Sequence, residues 1–308
     1  MGGMPSLLRS LTAPAAAPLR RWVLGAFPRG ESGIEYDSPE GDPGLFGPDS
    51  VTWRVHAEFP GMLAGGLCAL MLQALHPRAL AAVYDHSNFR TDLVGRLRRT
   101  THFVAGTTYA PTAEAERLIA RVRAIHARIA GHTDDAQPYR ADEPALLTWV
   151  HVTEAYGFLQ GCRRYGRPVP AAIADRYYAE TRRVAAALGA TEVPASEAAV
   201  AAYFAAMLPQ LRVGQQAREV LGVLAGARLP VPAPGLSRDV FLGAGAALLP
   251  DWACALLGRS ALVRARDRAA ARMLAAMAPL FRAALPDGLA PRACRRMGLP
   301  VEVLQRWP

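Results

Sequence analysis

The chain has 308 residues, of which 51% are hydrophobic and 20% charged, a balance that excludes a disordered chain and leaves enough length for one large core. It contains no lysine: all 35 basic residues are arginine, and the net charge is +9. That charge suits nucleic acid or an anionic membrane, but arginine standing in for every lysine spreads it over helix surfaces, so a basic helical nucleic-acid-binding protein is the minor alternative and no nucleic acid partner is expected.

Residues 1–50 are rich in Gly, Pro and Ser without a sustained period and read as a loose N-terminal arm, with Leu45-Phe46-Gly47 able to dock. Arg20-Arg21 precedes too short an apolar run before Pro28 for a secretion signal. The four cysteines, Cys68, Cys162, Cys254 and Cys294, lie far apart with no Cys-x-x-Cys, a spacing that fits neither a zinc site nor a disulfide scaffold. These signs together predict a cytoplasmic protein, with peripheral membrane contact compatible with its charge.

From Val51 to residue 308 the signals are those of one helical domain. An apolar helix from about Gly61 carries Gly61-x-x-x-Gly65-Gly66, a small-residue face for close helix packing, and Pro77 ends or kinks it. Its run to Leu75 falls short of the roughly 20 residues a spanning helix needs. Asp92 caps the next helix, and Thr112 caps one that Gly131 ends. Asp142 caps a further helix with Pro144 in its first turn. Helices over 170–188, 197–226, 237–257 and 260–285 follow, separated by Gly- and Pro-rich turns. No segment alternates with period two, so the expected fold is an all-α single-domain bundle of about ten helices.

Chemistry is sought where polar groups fall on faces that should be buried. After Asp92, Leu93, Leu97 and Val104 form a stripe that also takes in Arg96 and Thr100, while Arg98 points away. A buried guanidinium is costly unless an anion or a hydrogen-bond network meets it, so Arg96 either reaches solvent, pairs with an internal carboxylate, or is held for a bound anion or reacting oxygen. On the next helix His126 lies at the edge of an apolar face of Leu118, Ile119, Val122, Ile125 and Ile129. Such a histidine is commonly a satisfied core residue; a neutral imidazole on an apolar face is also the ordinary axial ligand of haem iron. His151 sits on a third helix, where Glu154 can orient its ring. A di-iron bundle would need two Glu-x-x-His motifs, and His151-x-x-Glu154 is the reverse order and occurs once. Tyr84-Asp85-His86-Ser87 reads as a helix end with capping side chains. No nucleophile elbow, Walker loop or dinucleotide fingerprint is present.

These residues also carry a resemblance. Leu75-His76-Pro77, Tyr84-Asp85-His86-Ser87-Asn88-Phe89, Gly95-Arg96-Leu97-Arg98-Arg99-Thr100, Arg121-Val122-Arg123 with Ile125-His126, and Tyr139-Arg140-Ala141-Asp142 through Trp149-Val150-His151 together resemble the MpaB/rubber-oxygenase catalytic domain, over roughly residues 50–300. In the latex clearing proteins of that family an Arg-x-x-x-Thr motif and a following helix histidine serve a b-type haem. The resemblance implies a haem pocket inside the bundle, with Arg96, Thr100, His126 and His151 contacting haem b and His126 as the proximal iron ligand. It implies a haem-dependent oxygenase that uses dioxygen on the alkene of a small hydrophobic substrate, with Arg96 and Thr100 as catalytic residues. Two departures bear on the substrate. Arg99 stands where a rubber oxygenase can carry a lysine, and the glutamate proposed there as base has no aligned counterpart, leaving Asp85 as the nearest acid. A small lipid-like or prenylated molecule is therefore expected rather than polyisoprene. The alternative in another class is a haem carrier or sensor that keeps His126 and turns over nothing.

Overall fold

The computed structural model describes residues 19–23, 33–228, 231 and 233–308. Its helices in chain order are α1 (Val51–His56), α2 (Phe59–Gln73), α3 (Pro77–His86), α4 (Leu93–Tyr109), α5 (Thr112–His126), α6 (Pro144–Tyr165), α7 (Ala171–Leu188), α8 (Glu197–Met207), α9 (Gln215–Ala225), α10 (Pro234–Ala246), α11 (Asp251–Leu256), α12 (Ala261–Ala284) and α13 (Leu289–Arg296). The all-α expectation holds. One exception is a two-stranded antiparallel ribbon, β1 (Ala130–His132) and β2 (Pro138–Arg140), inside the stretch read as a helix end and a loop. Strands of three residues are too short to show a period, which is why the pattern missed them. The spans expected at 197–226 and 237–257 each divide, after Met207 and after Ala246.

The frame is built on α2. A Cβ at Gly61 would lie 2.8 Å from the Gly161 carbonyl, and one at Gly65 would lie 2.6 Å from the carbonyl carbon of Gly157. The α2 and α6 backbones therefore touch, and only glycine allows it. On another side Gly245 of α10 approaches the Ala64 carbonyl oxygen of α2, where a Cβ would lie at 2.8 Å. Around this contact Trp149, Leu159, Leu72, Leu75 and Phe281 are buried in one continuous core. The chain turns by 106° between α2 and α3 at Pro77, as expected of a proline there. No single helix among the described residues is long and apolar enough to cross a membrane.

The described part of the N-terminal segment is docked rather than loose. Trp22 stacks on Phe241 with ring centroids 5.3 Å apart, and Ile34 and Tyr36 are buried against α4 and α13 residues. Residues 1–18 and 24–32 of the expected arm lie outside the described part. Asp42 supplies a cap that the sequence had given to Thr112. Thr112 is the first helical residue, and its backbone N–H and hydroxyl both donate to the Asp42 carboxylate, at 3.1 and 2.8 Å. At α6 the cap position belongs to Glu143, while Asp142 accepts from Arg140.

Candidate functional site

A small cavity, about 50 Å³ and open on one side, lies between α1, α4, α6 and α7. Its apolar wall is Phe46, Phe103, Val104, Ala155, Phe158 and Val184. Its polar groups come from four helices: His56 from α1, Thr107 and Thr108 from α4, His151 and Glu154 from α6, Tyr177 and Thr181 from α7. Local chemistry sets each element. Asp92 caps α4 by accepting from the Gly95 N–H at 2.9 Å, and α1 is capped by Ser50 and by Glu180, which accepts from Val51 and Thr52. His151 and Glu154, three residues apart, share one face of α6.

Most of these polar groups are already satisfied. Thr108 donates its hydroxyl proton to the Val104 carbonyl at 2.7 Å, so its oxygen accepts from His56 Nδ1–H at 2.8 Å. That assigns the neutral tautomer of His56, whose Nε2 accepts from the Tyr177 hydroxyl at 2.9 Å. Burial lowers the His56 pKa to about 3, with His151 nearby adding to the effect. Thr107 donates to the Phe103 carbonyl and Thr181 to that of Tyr178. His151 differs: among the described residues its ring has no hydrogen-bond partner, and burial lowers its pKa to about 4. Glu154 is pushed up by burial to about 7, opposed only by the Gln73 amide from α2. Glu154 makes no bond to His151, so it does not orient that ring; both side chains are turned to the cavity.

Of the haem-binding and catalytic residues expected from the sequence, only His151 lines this space. Arg96 and Thr100 lie on α4 ahead of the lining residues Val104 and Thr107, on the same helical face. Arg96 is half-buried, as its stripe predicts, and burial lowers its pKa, with Arg99 adding to the effect. No carboxylate among the described residues pairs with it, although arginines elsewhere are paired, as in Arg163–Glu197 and Arg259–Asp267. Thr100 is a correction: it is exposed and donates to the Arg96 carbonyl of its own helix at 3.3 Å. Ile125 is a second correction. It is 48% exposed, because the apolar face of α5 holds only through its first two turns, where Ala115, Leu118 and Ile119 are buried. His126 is half-buried at the end of α5; its Nδ1 is buried with no partner, and burial lowers its pKa, opposed by Asp142. Asp85 stands at the exposed end of α3 and accepts from the Tyr139 hydroxyl at 2.5 Å, so it does not reach the cavity.

Topology nevertheless brings two of the expected groups to one end of a helix pair. Ala110 and Pro111 alone join α4 to α5, and Leu118 packs on Gly106, so the two helices form an antiparallel hairpin. Arg96 and His126 thus stand at its same open end. The β1–β2 ribbon returns the chain there, with Ala141 N–H donating to the Ile129 carbonyl at 2.9 Å, and α6 sets out from that point toward His151.

This arrangement, an apolar cavity with histidine and carboxyl groups in an all-helical body, agrees with a family match over residues 53–283, to the family described as "ER-bound oxygenase mpaB/B'/Rubber oxygenase, catalytic domain". The chain belongs to the mpaB/rubber-oxygenase catalytic-domain family. No curated protein and no solved structure matches it. The matched span begins at Trp53 and ends inside α12, so it takes in α4, α6 and α7 whole and α1 from Trp53 onward.

The sequence reading passed over His56, Thr108 and Tyr177, and gave Glu154 only a supporting part. A signal for His56 was present: it ends a run, Val51 to Val55, that is wholly buried, so a histidine there needed internal partners. Thr108 and Tyr177 offered none, since their partner comes from a helix more than fifty residues away.

The residues present fit a haem in two respects. His126 offers a neutral imidazole with a buried nitrogen lacking a partner, and Arg96 offers a cation lacking an anion, which a propionate would meet. Among the described residues no three His, Cys, Asp or Glu side chains group to hold a bare metal ion.

Proposed function

We propose that the chain is a haem-b-dependent oxygenase acting with dioxygen on the alkene of a small lipid-like or prenylated substrate. The observation that carries the reading is the pairing, at one end of the α4–α5 hairpin, of a neutral half-buried histidine and an uncompensated half-buried arginine. Neither is favourable in an empty structure, since an unpaired buried polar group and an unpaired buried cation both cost stability. Family membership supplies the oxygenase class.

In this reading His126 and Arg96 hold the haem, His126 as the iron ligand and Arg96 through an anionic edge group. Thr100 adds a hydroxyl one turn further along the same face of α4. Haem iron, when bound, supplies the oxygen chemistry. The rest is the work of this chain's side chains. Phe103, Phe158 and Val184 enclose an apolar substrate and exclude water, while the His56–Thr108–Tyr177 chain fixes the wall in an uncharged state. His151 presents the free ring nitrogen of the cavity.

Reconstitution with haem tests the proposal. The full chain is expected to show a Soret band, His126→Ala to lose most bound haem, and His151→Ala to keep the band with a smaller shift. Oxygen uptake on addition of a prenylated alkene then separates an oxygenase from a haem carrier. Haem lost in His151→Ala and kept in His126→Ala would reverse the assignment, and no Soret band in any of the three would remove it.

A further inference from the structure

The cavity has a property beyond its shape: nearly all its hydrogen-bond donors are used by the protein itself. The protons of Thr107, Thr108 and Thr181 go to backbone carbonyls of their own helices, that of Tyr177 goes to His56, and His56 uses both ring nitrogens. Two groups remain for a ligand, His151 and Glu154, side by side on α6. Among the described residues no arginine lines the space, in a chain whose cations are all arginine, and neither lining histidine is set up to carry charge.

We propose that this cavity takes an uncharged lipophile bearing a single hydroxyl or carbonyl oxygen, bound by His151 and Glu154, and rejects anionic amphiphiles of the same length. This rests on the reading of the cavity as the substrate site of the proposed oxygenase and names its substrate class. A neutral imidazole offers one donor and one acceptor, and a carboxyl beside it completes a two-point contact with an alcohol or ketone oxygen. A carboxylate or phosphate head placed there would face Glu154 with no cation in reach, the unpaired buried charge that proteins avoid. The apolar wall of Phe46, Phe103, Val104, Phe158 and Val184 takes the hydrocarbon part. The groups that face Glu154 are His151 on its own helix, His56 from α1, Tyr177 from α7 and the Gln73 amide from α2, and none of them is an anion or a fixed cation.

The experiment is calorimetric titration of the full chain, without added haem, with three probes of one chain length: undecenol, undecenoic acid and undecene. At pH 8 undecenol is expected to bind at least about tenfold more tightly than undecenoic acid, the scale of leaving a head-group charge unpaired. It should also bind more tightly than undecene, and His151→Phe should remove that second preference without weakening undecene. Val104→Arg, which puts a cation in the wall, is expected to invert the order of alcohol and acid. If that variant does not fold, the wild-type comparison still decides. Equal or tighter binding of the acid overturns the proposal, and so does failure of the alcohol to bind. Because binding is read without oxygen turnover, alcohol preference without oxygen uptake would sink the oxygenase reading alone, and uptake with acid preferred would sink this one alone.

Discussion

The two walls of the cavity are built differently. On one side α6 is locked to α2 through Gly61, Gly65, Gly157 and Gly161, and Leu146, Trp149, Val152 and Leu159 are buried in the main core. On the other, α4 is half-buried from Leu93 to Ala105 apart from Arg99 and Thr100, which are exposed, and becomes buried only at its last turn, where Gly106 to Tyr109 meet the N-terminal segment and α13. One helix is fixed by backbone contact and the other is anchored at one end. The difference teaches where a ligand can be accommodated: the cavity sits against a rigid frame, and the wall that yields is the one with fewer buried residues. Arg96 and His126 are both on the yielding side, while the partnerless ring nitrogens of Trp149 and His151 belong to the rigid α6.

Breaking the frame should have the largest effect. Gly65→Val drives a branched side chain into the Gly157 carbonyl, where backbone cannot give way, and is expected to cost about 3 kcal/mol or more, or to prevent folding. Urea denaturation checks it, with Gly66→Ala as the control, since a Cβ there meets only the edge of Phe158 at 3.7 Å.

The next effect tests the rigid wall's buried acid. The Glu154 carboxyl rises from an ordinary 4.5 to about 7 in the folded chain, so the folded state holds its proton longer than the unfolded one. Its stabilising balance is intact below about pH 4.5 and is lost as the pH climbs towards 7. Glu154→Gln should therefore match wild type at the acid end and exceed it by about 3 kcal/mol above pH 7. His151, held near 4, acts in the opposite sense, losing stability as the pH falls, but it is common to both proteins and cancels in the difference. A Gln variant less stable than wild type at pH 8 would mean that Glu154 has a cationic partner in solution.

The smallest effect sharpens the account of the yielding wall. Arg96→Met removes a half-buried cation that no carboxylate meets, so the haem-free chain is expected to gain about 1 kcal/mol while its haem affinity falls. Thermal melts with and without haem read both signs, and loss of stability in the haem-free chain would show that Arg96 is structurally satisfied.

The same contrast explains what was legible in the sequence. The frame was: Gly61 and Gly65 announced a close helix contact, Pro77 a break, and the absence of period-two alternation an all-helical body. Arg96 and His126 were legible as polar residues on apolar stripes, because their anomaly is local to one helix. The helical wheel failed for Thr100 and Ile125, since it assumes that a stripe is covered along its whole length, and here the covering ends within two turns. Thr108 and Tyr177 were not legible, because a hydrogen-bonded chain across three helices is a property of tertiary arrangement. Asp85 was misplaced for the same reason: its partner Tyr139 comes from a strand too short to be seen in a pattern.

Hydrogen exchange measured with and without haem tests the central claim most directly. The account predicts that haem slows exchange in α4 and α5, from Leu93 to His126, while α2 and the glycine-lined part of α6 keep the strong protection they already have. The protection should disappear in His126→Ala. Slowed exchange confined to α2 and α10, or no change in α4 and α5 at saturating haem, would contradict it.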